Sequence, residues 1–297
     1  MIINLLQTMR PIQWTKNLMV FLPALFSFNE AWVLSEAETS VPILSRALIT
    51  LGCFVLASSA TYMFNDVIDA KKDGLHLYKK YRPVASGRLG KKLALVVALI
   101  LAAGALFGSS VVSVAMVFVL LSYLLLMLAY AFFLREIILL DVFCISAGFI
   151  IRVVAGAVAI GVPMSPWLYV CMGFGSLYIA LSKRMGELMS DNGNGHDGRK
   201  LLEFYTQELL SSMLTIVLSA TLIAYCLYTF IADNLPSNNS MMLTIPFVVY
   251  GMLRYLYLVR IDGKGERPEI IIVKDIPILL CVGMWFFVSA TVLYLYR

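Results

Sequence analysis

The sequence predicts an all-α, polytopic membrane protein, on the basis of its composition, its apolar runs and its charge distribution. Of the 297 residues, 61% are hydrophobic and only 14% are charged, with a mean hydropathy of +0.87. A soluble protein carries about 25% charged residues and about 45–50% apolar ones. The composition therefore excludes an ordinary soluble enzyme and a disordered chain. The five cysteines all lie in apolar runs and the two histidines have no partner at metal-ligand spacing, so a zinc site is not expected.

Nine apolar runs are each about as long as the roughly 20 residues that cross a bilayer. They lie near residues 17–34, 43–65, 93–110, 112–134, 138–160, 164–185, 209–232, 240–259 and 276–296. The first is the weakest, because Asn29 and Glu30 interrupt it. Residues 108–110 alone separate the third run from the fourth, which predicts a tight helical hairpin. No intervening segment is long enough for a separate soluble domain, so residues 1–297 are predicted to form one domain.

The distribution of positive charge predicts the orientation of these helices. If the N-terminus is cytoplasmic, the inside loops and adjacent helix ends contain 20 of the 23 Lys and Arg residues. Those loops are 1–16, 66–92, 135–137, 183–208 and 260–275. This bias follows the positive-inside rule and predicts a multi-pass protein of the plasma (inner) membrane with its C-terminus outside. The net charge of +5 then reflects topology, and a nucleic-acid partner is not expected.

The cytoplasmic end of the second predicted helix carries an acidic motif. Asn65, Asp69 and Asp73 are spaced i, i+4 and i+8, so they lie along one helical face over about 12 Å. Oxygen-bearing side chains in such a row repel one another unless a cation lies among them. These hard ligands suit Mg²⁺, which typically bridges carboxylates to substrate phosphates. The alternative is a solvated helix end whose acids balance Lys71 and Lys72.

A basic segment follows the acidic motif within a few residues. Residues 79–92 read K-K-Y-R-P-V-A-S-G-R-L-G-K-K. Arg82 and Arg88, together with small residues that expose backbone amides, predict a clamp for a pyrophosphate group beside the metal. Lys79 is a further candidate for the same role.

Together, N-D-x-x-D-x-x-x-D and R-P-x-x-S-G resemble the first aspartate-rich motif of the UbiA family of intramembrane prenyltransferases. The resemblance covers essentially the whole chain. It implies nine helices around a central cavity that opens to the cytoplasmic face. Members that use aromatic acceptors have a second motif, of the D-x-x-x-D kind, at the end of helix six. Residues 182–187 read S-K-R-M-G-E at that position, so the second motif is missing here.

This departure bears on the substrate. Lys183 and Glu187 form either an intrahelical ion pair or a second binding cluster, in which Lys183 and Arg184 bind a phosphate and Glu187 supplements the metal shell. One acidic and one basic cluster suit ligands with phosphates at more than one place. That pattern resembles the decaprenyl-phosphate phosphoribosyltransferase branch of the family. Its members transfer 5-phosphoribose from phosphoribosyl pyrophosphate (PRPP) to a polyprenyl phosphate. The alternative is transfer of a prenyl chain from a prenyl diphosphate to an aromatic acceptor.

The resemblance implies three catalytic acids, a magnesium shell and a set of substrate contacts. The acids are Asp66, Asp69 and Asp73; the magnesium ligands are Asn65, Asp69, Asp73 and Glu187; the substrate contacts are Lys16, Asn65, Lys79, Arg82, Arg88, Arg152, Lys183 and Arg184. Asp66 would order a metal-bound water or hold a second ion. PRPP, the polyprenyl phosphate and the bilayer are the implied partners, and Mg²⁺ is the implied cofactor.

Two of these cations have alternative roles. Arg152 lies about mid-helix, where a cation costs about 2.5–3.5 kcal/mol on insertion scales. It either points into the cavity towards a phosphate or hydrogen-bonds to helix-end carbonyls. Lys16 either extends its ammonium to the lipid headgroups or contacts the phosphate of the acceptor.

Overall fold

A computed structural model describes residues 1–75, 79–190, 200–261, 265 and 268–296. The predicted inside loops 66–92, 183–208 and 260–275 are therefore described only in part. Within the described residues the regular structure is helical, and the β pairing there is limited to an isolated bridge between Phe28 and Trp32. The all-α prediction is confirmed.

Eleven α-helices occur in the described part of the chain. They are α1 Ile2–Met9, α2 Leu22–Phe26, α3 Ala37–Leu75, α4 Lys91–Val112, α5 Val114–Phe132, α6 Leu140–Ile160, α7 Pro166–Ser190, α8 Gln207–Ile231, α9 Ile245–Arg260, α10 Pro268–Lys274 and α11 Ile276–Tyr296. Short 3₁₀ helices lie between them, at Pro11–Phe21, Lys79–Tyr81, Leu134–Glu136, Lys200–Phe204 and Ser240–Thr244.

Seven helical segments in the described residues are long and apolar enough to cross a membrane. They are α3, α4, α5, α6, α8, α9 with its preceding 3₁₀ turn, and α11. All seven coincide with predicted runs. The sixth predicted run forms α7, whose 25 residues are long enough to span but whose Gly, Ser and Tyr residues make it less apolar.

The first predicted span is wrong as a regular helix. Residues 17–34 continue a 3₁₀ helix into the five-residue α2, followed by turns. Irregular backbone at membrane depth is stable only where protein covers it, and this segment is buried against α6. Gly156 permits that contact, because a Cβ there would lie 2.2 Å from the carbonyl oxygen of Val20. The expected nine regular spans are thus not found in the part of the chain described.

The predicted hairpin lies a few residues later than expected. Helix α4 continues through residues 108–110 and ends at Val112, and α5 begins at Val114. Ser113 between them has an extended backbone, and its Oγ accepts a hydrogen bond of 3.0 Å from the Met116 amide. This N-cap satisfies one of the free amides at the start of α5.

Helix α3 positions the acidic motif. Its 39 residues extend about 58 Å at about 1.5 Å per residue, roughly twice the thickness of a hydrocarbon core. The motif therefore lies on the last turns of one continuous helix. A core of Met63, Ala70 and Leu89 packs these turns against the loop after α3, with Leu5 and Met9 of α1 beside it.

Candidate active site at the end of the long helix

Each carboxylate of the acidic motif binds an arginine from another element. Asp66 is buried and binds Arg10, and its Oδ1 lies 3.5 Å from Nη1 of Arg82. The same Nη1 lies 2.6 Å from Oδ2 of Asp73. Asp69 receives two hydrogen bonds from Arg135, of 2.7 and 2.8 Å. We refer to this group as the α3 cluster, which comprises Asp66, Asp69, Asp73, Arg10, Arg82 and Arg135.

Helical geometry explains how the carboxylates divide between the arginines. Seven residues turn a helix by about 700°, so Asp66 and Asp73 are only about 20° apart and share Arg82. Asp69 is rotated from both by about 40–60° and faces Arg135 instead. The prediction grouped Asp73 with Asn65 and Asp69. The structure instead groups Asp73 with Asp66, because the i, i+7 spacing aligns side chains more closely than i, i+8.

Asn65, on the predicted metal face, keeps a buried acceptor without a hydrogen bond from the described residues. This acceptor is its Oδ1. A buried acceptor left unpaired costs about 1–3 kcal/mol. A cation near Asn65 would satisfy this oxygen, and the neighbouring carboxylates of Asp69 and Asp73 are the hard donors that Mg²⁺ prefers. These three residues therefore fit a magnesium ion in donor chemistry.

The segment after α3 folds back on itself. The Ser86 hydroxyl donates to the Arg82 carbonyl at 2.8 Å, and the Arg88 guanidinium donates to Ser86 Oγ and to the Tyr81 carbonyl. Gly87 has φ +76°, a conformation that suits glycine, and so permits the turn. Arg82 reaches the acids as predicted. In contrast, the side chain of Arg88 donates its hydrogen bonds within its own loop. Lys79, in the 3₁₀ turn before Arg82, is half-buried.

A second polar group lies between α6 and α7, and we call it the α7 cluster: Asp141, Arg184, Glu187 and Tyr205. Nε of Arg184 lies 3.0 Å from Oδ2 of Asp141, and both side chains are fully buried. Arg184 also binds Glu187 through Nη1. The Tyr205 hydroxyl donates to Asp141 at 3.3 Å and accepts from the Leu139 amide at 3.0 Å. Burial and the Asp141 carboxylate raise the pKa of the Tyr205 phenol, which keeps it protonated as a donor.

The α7 cluster corrects two predictions. Arg184 is inaccessible to a phosphate in this structure, because its side chain is fully buried and its charge is balanced by the Asp141 carboxylate. Glu187 binds that guanidinium and does not join Asp69 and Asp73. Indeed, among the described residues no three Asp, Glu, His or Cys side chains come close enough to share a metal ion. Lys183 is half-buried one residue away, and its phosphate contact stays a prediction.

The predicted substrate contact of Arg152 is also corrected. It is buried among aromatic rings and donates to Asn17 Oδ1 at 2.8 Å, to the Tyr123 hydroxyl at 2.9 Å and to the Gly148 carbonyl at 2.7 Å. Its Nε, Nη1 and Nη2 each make one of these bonds, which join α5 and α6 to the first 3₁₀ helix. Arg152 therefore holds these three elements together. Of its two predicted roles, the structure agrees with the carbonyl contact and not with a contact to the substrate. Lys16, in the same 3₁₀ helix, is half-buried.

Sequence reasoning missed Arg10 and Arg135. Arg135 was counted only as a topological charge, although it stands in a very short loop between two apolar helices. Because this loop and the end of α3 are both predicted to face the cytoplasm, a contact between Arg135 and the acidic motif could have been predicted. Arg10 lies in the predicted cytoplasmic segment 1–16, and its left-handed backbone (φ 55°) directs the chain from α1 into the 3₁₀ helix.

The sequence matches a known protein family. The model of the UbiA prenyltransferase family matches residues 20–264, which include the whole of α3 and the α7 cluster. The chain belongs to the UbiA prenyltransferase family.

Several named relatives can be aligned with nearly the full length of this chain. A decaprenyl-phosphate phosphoribosyltransferase of Mycobacterium tuberculosis is 32% identical over 96% of this chain and 92% of its own. Its counterpart in Mycolicibacterium smegmatis is 33% identical over 98% of this chain and 92% of its own. A third, from Corynebacterium glutamicum, is 28% identical over 98% and 87%.

Solved UbiA structures share the fold. A UbiA homolog from Archaeoglobus fulgidus bound to DMAPP and Mg²⁺ has a TM-score of 0.74 at 16% identity, over 98% of this chain and 99% of its own. The same homolog bound to GPP and Mg²⁺ gives 0.73 at 16% identity, over 98% and 100%. At this identity the likeness establishes the helical architecture alone.

Proposed function

We propose that the chain transfers 5-phosphoribose from PRPP to a polyprenyl phosphate, such as decaprenyl phosphate, and releases pyrophosphate. The observation that carries the proposal is 32% identity over 96% of the chain with a decaprenyl-phosphate phosphoribosyltransferase. The α3 cluster supports it, because carboxylates and arginines that suit a metal-bound diphosphate lie together at one end of the bundle.

Mg²⁺ is the proposed cofactor, and Asn65, Asp69 and Asp73 are the residues that would hold it. When bound, it would neutralise negative charge on the leaving pyrophosphate. Asp69 and Asp73 bind Arg135 and Arg82 in this structure. An ion bound by these carboxylates would compete with the arginines for their oxygens. A released guanidinium can then donate to phosphate oxygens, which it binds in a bidentate manner.

The remaining substrate contacts would come from other cations of the chain. Arg82 would bind the pyrophosphate together with Arg88 and Lys79. Lys183 would bind the ribose 5-phosphate, and Lys16 the phosphate of the lipid. In the reaction, the bond from C1 of ribose to pyrophosphate breaks and a lipid phosphate oxygen bonds to C1. That phosphate is already ionised near neutral pH, so the step requires no protein base.

The proposed orientation follows from the substrates. PRPP is a soluble polyanion that cannot cross a bilayer, so the end of α3 would face the cytoplasm. The chain would act as one domain in the plasma membrane, with its N-terminus inside and its C-terminus outside, in agreement with the Lys and Arg distribution.

The decisive experiment offers the purified protein, in lipid nanodiscs, two labelled substrate pairs. One pair is PRPP labelled in the ribose with decaprenyl phosphate, and the other is a labelled prenyl diphosphate with 4-hydroxybenzoate. We expect labelled lipid only with PRPP, and loss of that product when EDTA removes divalent ions. Product from the second pair alone would favour the prenyl-transfer alternative.

A further inference from the structure

Helix α1 has an apolar face that no described part of the protein covers. Ile2, Ile3 and Leu6 lie on its outer side, and 71%, 71% and 45% of their surfaces are exposed. Ile12, just beyond the helix, is 65% exposed. Leu5 and Met9 point the other way and pack against the protein. The helix therefore has two apolar sides, one packed on the protein and one exposed, and Gln7 is also exposed.

The inner face attaches α1 to the candidate active site. Leu5 and Met9 join the core that includes Ala70 of α3 and Leu89 of the loop after it. The side-chain amide of Asn4 also donates to the Arg88 carbonyl at 3.1 Å. The helix thus lies beside the last turns of α3 and the start of α4.

The residues next to α1 indicate that lipid covers its outer face. Leu93 and Val96, in the first turns of the membrane-spanning α4, are 40% and 52% exposed. Helix α1 packs next to these turns, because Leu5 and Met9 share a core with Ala94 and Ala98 of α4. Lys91 and Lys92 are exposed just before it, at the level where basic residues meet lipid headgroups. With eight residues, about 12 Å, α1 is too short to span and fits an interfacial helix.

Arg10 links α1 to the acidic motif. It ends α1 in the left-handed conformation, and its guanidinium binds Asp66 and lies 5.1 Å from the centre of the Tyr62 ring. The position of α1 therefore determines where this guanidinium lies. We propose that α1 docks on the membrane surface through Ile2, Ile3, Leu6 and Ile12 and thereby holds Arg10 on Asp66. Arg10 is then a positioning residue of the site.

The docking is tested by spin labels on the full chain in nanodiscs of phosphatidylcholine and phosphatidylglycerol. Cys226 and Cys281, which are partly exposed, are first replaced by Ser. A label at Ile3→Cys is then compared with labels at Ile100→Cys, on the lipid-facing side of α4, and at Lys80→Cys, on an exposed loop residue. Collision with oxygen reports contact with lipid, and collision with a water-soluble nickel complex reports contact with water.

We expect the Ile3 label to resemble the Ile100 label in oxygen collision and to be at least about fivefold better protected from nickel than the Lys80 label. Equal nickel access at Ile3 and Lys80 would refute the docking. Protection from both reagents would also refute it, since that result indicates a protein, such as a second copy of the chain, on this face.

The link to Arg10 rests on the proposed function and is tested by transfer kinetics. Replacing Ile2, Ile3 and Leu6 together by Asn should raise KM for PRPP about tenfold with little change in kcat. Arg10→Gln should give the same rise, and combining the changes should add little, because both act on one contact. Replacing the three residues by Met is the matched control and should retain wild-type KM.

Additive effects, or a fall in kcat alone, would overturn the link to Arg10 and leave the spin-label result intact. If the wild-type chain does not transfer phosphoribose at all, the proposed function fails, while the spin labels still decide whether α1 docks on lipid.

Discussion

The α3 and α7 clusters are both arginine–carboxylate groups, but they differ in exposure. Arg184 and Asp141 are fully buried, whereas Arg135 and Asp69 keep 16% and 22% of their side-chain surfaces exposed. A buried pair cannot separate without leaving a charge in a medium of low dielectric. A partly exposed pair can exchange one partner for a ligand at much lower cost. We therefore expect the Asp141–Arg184 pair to act in stability and the Asp69–Arg135 pair to be the one that can exchange its partner for a ligand.

The largest effect is expected in the α7 cluster. Arg184→Met should reduce the free energy of unfolding by about 3–5 kcal/mol, because Asp141 would remain buried without its cation. Thermal unfolding in nanodiscs measures the change. Arg46→Met, at an exposed position on α3, is the matched control and should unfold like the wild type. A stable Arg184→Met variant with a raised KM for PRPP would contradict this structural role and favour the predicted contact between Arg184 and a phosphate.

The α3 cluster should respond in the opposite way. Asp69→Asn should lower transfer by about 10²–10³-fold, the typical cost of removing a charge that stabilises the transition state. Its unfolding temperature should change little, because Arg135 can turn to solvent. Asp233→Asn, on an exposed loop, serves as the control for both measurements. Near-normal transfer by Asp69→Asn would remove Asp69 from the metal site.

Arg152 allows the same distinction, between a stabilising role and a substrate contact, to be tested at a buried position within the membrane. Arg152→Gln should cost about 1–3 kcal/mol of stability, since the buried Asn17 oxygen and Tyr123 hydroxyl lose a donor. The KM for PRPP should stay unchanged in the fraction that folds. A raised KM with unchanged stability would instead place Arg152 in contact with a substrate phosphate.

The smallest expected effect concerns Lys183. Lys183→Ala should raise the KM for PRPP about five- to tenfold and leave kcat unchanged, as expected when one phosphate contact is lost. Lys183→Arg should restore most of the affinity, because it keeps the charge. If KM does not move, Lys183 is a helix-surface cation without a part in binding.

Local sequence features predicted a large part of this molecule. Apolar runs located the seven spanning segments, since the length of such a run reflects the thickness of the bilayer. The acidic motif and the arginine nine residues beyond its last member were also predicted to act together, and Arg82 does bind Asp73. In contrast, the first span was predicted wrongly, because only packing against α6 makes its irregular backbone stable.

The class of protein, the position of most helices and the angular spacing of the acids around α3 follow from the order of the amino acids alone. Each of these depends on neighbours within a few turns, where covalent geometry sets the distances. Which arginine binds which carboxylate depends on how the helices pack. Arg10 and Asp66, Asp69 and Arg135, and Asp141 and Arg184 are each separated by more than 40 residues and meet only when the helices pack. Packing also determines how far each pair is shielded from water, from the fully buried Asp141–Arg184 pair to the partly exposed Asp69–Arg135 pair.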